Sequence, residues 1–324
     1  MISLIICTYN RRHHLRLALE SAAQLTPPPG NGWELLVVDN NSSDGTKECV
    51  ADFASQSKLN VRYVFEEHQG LAWARNRGIS EANGDVIVFT DDDVVLDRSW
   101  LAEISSAFQR FDCAAAGGRI LPLWEGPEPD WYDARPGSVL RPVVAHFDLG
   151  DCAGIATDFP YGANMAFRKA VFAQIGLFRT DLGRIGNGRI LGEESELMER
   201  LVAAGGSIIY VPSAIVHHRV PKARATKAYC RSWYFGKGRT NALAETLPPE
   251  TVRYFGIPRY LLPKLLTTTL GWLFSADSAG RFRCRLRMSE TAGEIVEFRR
   301  LARRSAAART EARSALRDNL KRIS

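Results

Sequence analysis

Four short apolar runs, Ile2 to Cys7, Glu34 to Val38, Val61 to Phe65 and Asp85 to Thr90, punctuate the first part of the chain. Between them lie segments of helical spacing. After the first run, Leu15, Ala18, Leu19, Ala22 and Leu25 recur at the period of one helix face, with Asn10 as the cap and Pro27-Pro28-Pro29-Gly30 as the stop. After the second run, Ser43 or Asp44 caps a helix reaching about Ser55, and after the third Gly70 to Ala82 reads as a helix. Strands that are apolar along their whole length are those covered on both faces, and strand and helix in strict alternation give parallel pairing. The chain is therefore expected to be α/β, with an open, mostly parallel sheet. Sheets of this kind bind ligands at the carboxyl ends of their strands.

At the carboxyl end of the fourth run stand three consecutive acids, Asp91, Asp92 and Asp93. Adjacent carboxylates repel, and they are costly to desolvate without a compensating cation or donor. Oxygen clusters of this kind suit Mg²⁺ or Mn²⁺, which usually also hold substrate phosphates. No G-x-G-x-x-G follows the first strand, and no G-x-x-x-x-G-K-[ST] occurs in the chain. A dinucleotide-binding sheet is thus not expected, and phosphates are left to a metal on Asp91 to Asp93 rather than to a glycine loop.

With 324 residues the chain has room for one large α/β domain with an appendage. Residues 121–159, rich in Pro, Gly, Trp and Asp, read as a long irregular excursion. Its Trp124, Trp131 and Tyr132 suit either sugar stacking or core cover. A strand is expected at Ala163 to Phe167, helices at Lys169 to Ile175 and Glu193 to Ala204, and a strand at Ser207 to Val211 followed by His217-His218. From about Thr226 the character becomes helical, basic and aromatic, which divides the chain into residues 1–225 and 226–324. From Arg281 to Ser324 there are 13 Lys/Arg against 5 Asp/Glu, a net of +8, so the other residues carry about −2 of the total +6. Six scattered cysteines without short spacing read as reduced structural thiols in the cytoplasm, and no signal peptide or spanning stretch is expected.

Several motifs stand in one order: Cys7-Thr8-Tyr9-Asn10-Arg11; Val37-Val38-Asp39-Asn40-Asn41-Ser42-Ser43-Asp44-Gly45-Thr46; Gly70 to Gly78 with Ala74-Arg75-Asn76; Thr90 to Asp93; Gly162-Ala163-Asn164-Met165-Ala166-Phe167; and Gly192-Glu193-Glu194. Over Ile2 to His218 the chain resembles the family 2 glycosyltransferases of the GT-A fold, a Rossmann-like nucleotide-diphospho-sugar transferase fold, here with a C-terminal helical extension. The resemblance implies a nucleoside-diphosphate sugar as donor, UDP-linked by preference, and a saccharide or lipid-linked acceptor. Thr8, Tyr9 and Asn10 would line the base, with Asn10 also placed to cap a helix, and Asp39 would accept a base N–H. Arg75 would contact the nucleotide. Asp91 and Asp93 fit D-x-D, the first on ribose or metal and the last on Mn²⁺ or Mg²⁺; Asp92 could replace either. Gly162 and Asn164 would form the loop under the sugar, and His217, ahead of His218, would complete the metal sphere. The base would be Glu194, with Glu193 in reserve; the family more often has Glu-Asp at this pair. A single in-line attack without a protein nucleophile inverts the anomeric centre.

Residues Tyr254 to Phe274, apolar, aromatic and broken by Pro258 and Pro263, suit a helix in a membrane interface, and the basic tail adds attraction to anionic lipid. The reading is a peripheral enzyme on the inner face of the cell membrane, acting in cell-surface polysaccharide or glycolipid synthesis. The same helices would also suit packing on the core or a homodimer contact. Nucleic acid is not an expected partner, since no nucleic-acid motif accompanies the basic tail. Two alternatives remain. A sugar-nucleotide pyrophosphorylase would carry a basic glycine-rich loop where Thr8-Tyr9-Asn10-Arg11-Arg12 stands. An inactive carbohydrate- or membrane-binding subunit would lack some of the acids.

Overall fold

The structure is a computed structural model. It describes all residues except Asn31, 185–191, Thr246, Pro249 and Ser324, and for 305–323 the backbone alone. The basic side chains expected in that last stretch therefore lie outside the described residues. Contacts divide the chain into two compact units, Met1–Thr226 and Lys227–Ser324.

The first unit begins β1 (Ile2–Thr8), α1 (Arg12–Ala22), β2 (Trp33–Asp39), α2 (Thr46–Gln56), β3 (Val61–Phe65), α3 (Leu71–Glu81) and β4 (Val86–Asp91). It continues through β5 (Val94–Leu96), α4 (Trp100–Arg110), β6 (Ala115–Trp124), β7 (Gly154–Ile155), β8 (Met165–Arg168), α5 (Val171–Ile175), α6 (Glu193–Ala203) and β9 (Ile208–Val220). The sheet order is β3-β2-β1-β4-β8-β6-β9-β5, with β7 on β9. Strands β1 to β4 are mutually parallel, as are β6 and β9, and β8 runs against both β4 and β6.

The apolar runs are apolar because alternate residues feed two cores. Ile2, Leu4, Ile6, Leu35, Val37 and Val88 pack with α1, α2 and α4 on one face of the sheet. Ile5, Leu36, Val38, Ile87 and Phe89 pack with α3 and α6 on the other. Each such fully buried side chain contributes about 1.5–3 kcal/mol. Register then aligns the strand ends: Thr8 lies beside Asp39, Cys7 beside Asp91, and Asp39 beside Phe65.

Three local expectations are corrected. Asn10 does not cap α1. It adopts a left-handed φ of 50°, which Asn tolerates better than most residues, and its Oδ1 accepts the Ser43 N–H at 2.7 Å. Nor does Ser43 or Asp44 occupy the cap of α2, which is Gly45 at φ 80°; Asp44 instead accepts the Arg12 N–H at 2.8 Å, serving α1 from the neighbouring loop. Finally, β9 does not stop at Val211. Its pairing with β6 jumps from Gly118–Val211 to Arg119–Ile215, so a bulge absorbs Pro212, Ser213 and Ala214, and the strand runs on through both histidines.

The second unit holds α7 (Lys227–Ala244), a short hairpin of β10 (Arg253–Tyr254) and β11 (Ile257–Pro258), α8 (Leu261–Phe274) and α9 (Ser278–Ile323). Glycines let α7 and α9 approach closely: a Cβ on Gly238 would overlap the Glu290 carbonyl oxygen, and one on Gly293 that of Phe235. Glu297, fully buried between them, is held by Arg239 at 2.8 Å and by Arg300. Pro263 falls in the first turn of α8, where its missing N–H leaves no helical bond unmade. Among the described residues no helix is long and apolar enough to cross a membrane.

Candidate active site

The carboxyl ends of β1, β2 and β4 form one edge, and the candidate residues gather there. Asp39 ends β2 with its side chain inward; its Oδ1 accepts the Ser42 N–H at 2.9 Å and its Oδ2 the Tyr63 hydroxyl at 2.8 Å. Beside it lies an open hollow of about 740 Å³, lined among others by Ser42, Ser43, Lys47, Tyr63 and Phe65. Phe65 is half exposed there at the end of β3, and the Lys47 ammonium lies 5.9 Å from the centre of the Tyr63 ring. Tyr9 is half-buried on the adjoining turn.

The acidic triplet splits three ways. Asp91 ends β4 with its side chain 36% exposed and Arg75 at 3.9 Å. Asp92 is buried, accepting the Thr8 hydroxyl at 2.8 Å and an Arg11 N–H at 3.0 Å. Asp93 is buried too. It accepts the same Arg11 Nη1 at 2.9 Å, with Arg224 Nη1 at 3.4 Å and His218 Nε2 at 3.5 Å. Burial first, then the charge of Asp93, pushes Asp92 up to about 7, against the pull of Arg11 and Thr8. Burial works against ionisation of Asp93 as well, but His218, Arg224 and Arg11 outweigh it and hold its carboxyl well below the usual range.

The histidine that meets the triplet is His218, not His217. Successive residues of a strand face opposite sides. His218 pairs in register with Val94 and is buried toward Asp93, while His217, opposite Val95, turns away. Burial lowers the pKa of His218 against the pull of Asp93, which favours the neutral form that ligates metals. Its Nδ1 is buried without a hydrogen-bond partner among the described residues.

The donor chemistry of Asp91, Asp93 and the neutral His218 ring fits a hard divalent ion. The arrangement is not a ready-made cage, since among the described residues no three His, Cys, Asp or Glu groups are gathered closely enough to hold a metal.

Arg75 joins the triplet to the two glutamates that open α6. Arg75, expected to contact the nucleotide, is 3% exposed. Its Nη1 donates to Glu193 Oε1 at 2.7 Å and lies 3.8 Å from Glu194 Oε2, and its guanidinium stacks 5.5 Å from the centre of the Phe178 ring. Gly162 is what admits it: a Cβ there would overlap Arg75 Nη2. Burial, and then the charge of Glu194, push Glu193 up to about 8 despite Arg75. Glu194 is partly exposed, and its Oε2 has no hydrogen-bond partner among the described residues.

Asn164, expected under the donor sugar, is fully buried and structurally engaged. Its Oδ1 accepts the Trp100 Nε1–H at 2.8 Å, and its Nδ2 donates to the carbonyls of Ala214 at 2.8 Å and Arg119 at 3.0 Å. The amide has no free donor for a ligand, so its role is to fasten β8 to the bulged β6–β9 pair. Trp124 and Tyr132 pack on each other at 5.1 Å, and the Tyr132 hydroxyl meets His146 Nδ1 at 2.6 Å. Sequence reasoning missed Arg11, Tyr63 and Arg224 as partners of the acids and ranked His218 behind His217. Arg11 stood within a recognised motif; nothing local marks the other pairings, which only the sheet register creates.

Residues 3–176 match the sequence model of glycosyl transferase family 2. The succinoglycan biosynthesis protein ExoM of Rhizobium meliloti is 26% identical over 241 residues, 74% of either chain. The glucosyl-dolichyl phosphate glucuronosyltransferase of Haloferax volcanii is 23% identical over 257 residues, 77% of this chain and 79% of its own. Among solved structures, the mannosyltransferase of Pyrobaculum calidifontis, in complex with GDP-Man and Mn²⁺, superposes with a TM-score of 0.61 at 18% identity, covering 91% of this chain and 86% of that one. That likeness is one of fold, and it agrees with the GT-A arrangement expected from the strand order and the acid-bearing edge. A match spanning more than half its residues makes this chain a member of glycosyl transferase family 2, and the enzyme a glycosyltransferase.

Proposed function

We propose that this glycosyltransferase takes its sugar from a nucleoside diphosphate, UDP in the first instance, with a divalent cation, and passes it with inversion to a hydroxyl of a saccharide or lipid-linked acceptor. The observation that carries the reading is the convergence at one sheet edge. Thr8 lies beside Asp39 and its neighbour Cys7 beside Asp91, and Arg75 brings Glu193 and Glu194 to the same acids.

The hollow beside Asp39 takes the base. Its carboxylate is oriented by Ser42 and Tyr63 and keeps lone pairs for a base N–H, and Phe65 supplies an apolar wall. Asp91 and Asp93, with His218 Nε2, would hold Mg²⁺ or Mn²⁺, which stabilises the negative charge that forms on a leaving diphosphate. Glu194 is the base. Its carboxylate takes the proton of the acceptor hydroxyl as that oxygen forms its bond to the anomeric carbon. The bond from that carbon to the phosphate oxygen breaks on the opposite side, and the electron pair leaves with the nucleoside diphosphate. Glu193, protonated more readily than an ordinary carboxyl and tied to Arg75, keeps its neighbour in place. Two acids in unlike surroundings with divided roles are a common device.

The work is placed on the inner face of a membrane, in cell-surface polysaccharide or glycolipid synthesis. What supports this is α8, which exposes Leu262, Leu266, Leu270, Leu273 and Phe274 at helical spacing, and the exposed Arg281, Arg283, Arg285 and Arg287 of α9. Apolar insertion plus cationic attraction is the two-signal arrangement of stable peripheral binding. The name of the Rhizobium relative, a biosynthesis protein of succinoglycan, supports the polysaccharide part.

The test is a melting-temperature screen with UDP and GDP, with and without Mn²⁺, since a ligand that binds the native state raises the melting point. One nucleotide should stabilise the protein only with Mn²⁺, and Asp93→Ala should abolish that shift. An unchanged shift in Asp93→Ala would overturn the metal assignment.

A further inference from the structure

Three buried-site features concern charge alone. Asp92 and Asp93 are buried next to each other, which is unfavourable unless the charge is compensated. The compensation comes from the chain itself: one Arg11 nitrogen bridges both carboxylates, at 3.0 and 2.9 Å, and Arg224 reaches the same Asp93 oxygen at 3.4 Å. Asp91, the outer acid, has Arg75 farther off, at 3.9 Å. Asp93 Oδ2 is therefore held by two guanidinium groups while its Oδ1 faces His218 Nε2 at 3.5 Å, and no three-ligand cage is assembled among the described residues.

We propose that Arg11 and Arg224 are the resident counter-cations of Asp93, and that they pass from Asp93 to the donor's diphosphate when the divalent ion loads. The inference rests on the reading of the triplet as the metal site. Like charges forbid simple addition of a dication beside two guanidinium groups at these distances. A diphosphate removes the obstacle, because guanidinium forks match phosphate oxygens as well as they match carboxylates. Arg11 is placed to move, keeping 36% of its side chain in solvent at the start of α1; Arg224, in the turn that follows β9, keeps 14% and lies farther from Asp93, at 3.4 Å. The exchange makes metal and nucleotide enter together, and it keeps the acids neutralised when neither is present. It also explains why Arg11 spans two acids while leaving Asp91 alone.

The experiment is a titration with Mn²⁺, free ion followed by electron paramagnetic resonance, on the intact chain alone and with UDP or GDP. Wild type should bind Mn²⁺ weakly alone and at least about tenfold more tightly with nucleotide, a difference of about 1.4 kcal/mol. Arg11→Met should bind Mn²⁺ alone at least about tenfold more tightly than wild type, because the competing charge is gone. Arg11→Lys, which keeps the charge, should stay near wild type. Should Arg11→Met fail to fold, Arg224→Met carries the same expectation, and its lesser contact with Asp93 makes it the milder change. Mn²⁺ affinity in the Met variants no higher than in wild type overturns the exchange while leaving the metal site standing. No Mn²⁺ binding by wild type under any condition overturns both.

Discussion

Gly162→Ala tests the junction between the two acid groups most sharply. Gly162 has no unusual backbone angle; what its position requires is room. An added Cβ would overlap Arg75 Nη2 and come within 3.0 Å of Cζ. Arg75 cannot swing into solvent, because it is 3% exposed and packed on Phe178. It must therefore draw away from Glu193, opening the 2.7 Å bond between them. A hydrogen bond to a charged group is worth about 1.5–3 kcal/mol, and breaking a buried pair outright costs about 3–5 kcal/mol. The loss is limited because Glu193, pushed up to about 8 by burial, already holds its proton at pH 7 and leaves no buried carboxylate stranded. The expected destabilisation at pH 7 is thus near the lower figure, about 2 kcal/mol. Urea unfolding at constant slope measures it directly. The same substitution in an Arg75→Met background should be nearly silent, since the obstructed group is gone. A loss below about 0.5 kcal/mol, the range of ordinary surface changes, would refute the reasoning. So would an equal loss in the Arg75→Met background.

Two further outcomes follow from the charges and the exposed face. The folded-state pKa of Glu193 is raised, so the native chain holds a proton there between about pH 4.5 and about pH 8 that the unfolded chain has released. Its contribution is fullest below that window, and wild type should lose stability relative to Glu193→Gln as pH rises through it, by up to about 1.4 kcal/mol per unit; parallel unfolding curves at pH 5.5 and pH 8 would show the group is not perturbed. Flotation with liposomes should carry the protein upward in proportion to anionic lipid and less so in high salt, with Leu266→Glu and Leu273→Glu on α8 weakening it at least about tenfold; full-length protein that stays at the bottom in low salt would assign α8 to another contact.

How much of this was legible in the chain depends on how local each feature is. Strands β1, β2 and β4 and the helices around them could be read because strands buried on both faces are apolar from end to end, as Leu4, Ile5 and Ile6 are. The acids followed from the same logic, since a parallel sheet places Asp39 and Asp91 at one edge. What escaped was set by distant partners. The course of β9 beyond Pro212 depends on a bulge opposite Gly118, and a proline inside a strand reads locally as its end. Which of His217 and His218 faces Asp93 is a matter of strand parity, which the local sequence does not show. Asn164 looked available as a ligand until Trp100, Ala214 and Arg119 used its amide. Arg75 and Glu193 are 118 positions apart and meet only in the fold.

The central claim, that Glu194 deprotonates the acceptor at the edge where Asp39 and the triplet hold the donor, is tested most directly by one paired measurement. Glu194→Gln keeps the shape of the side chain and removes its basicity. Sugar transfer and nucleoside-diphosphate affinity in the presence of Mn²⁺ are measured on the same preparation. Transfer should fall by about 10²–10⁴, the usual worth of a positioned base, while nucleotide affinity stays within about twofold of wild type. Transfer near the wild-type rate in Glu194→Gln, with Glu193→Gln inactive, would contradict the assignment and move the base to its neighbour.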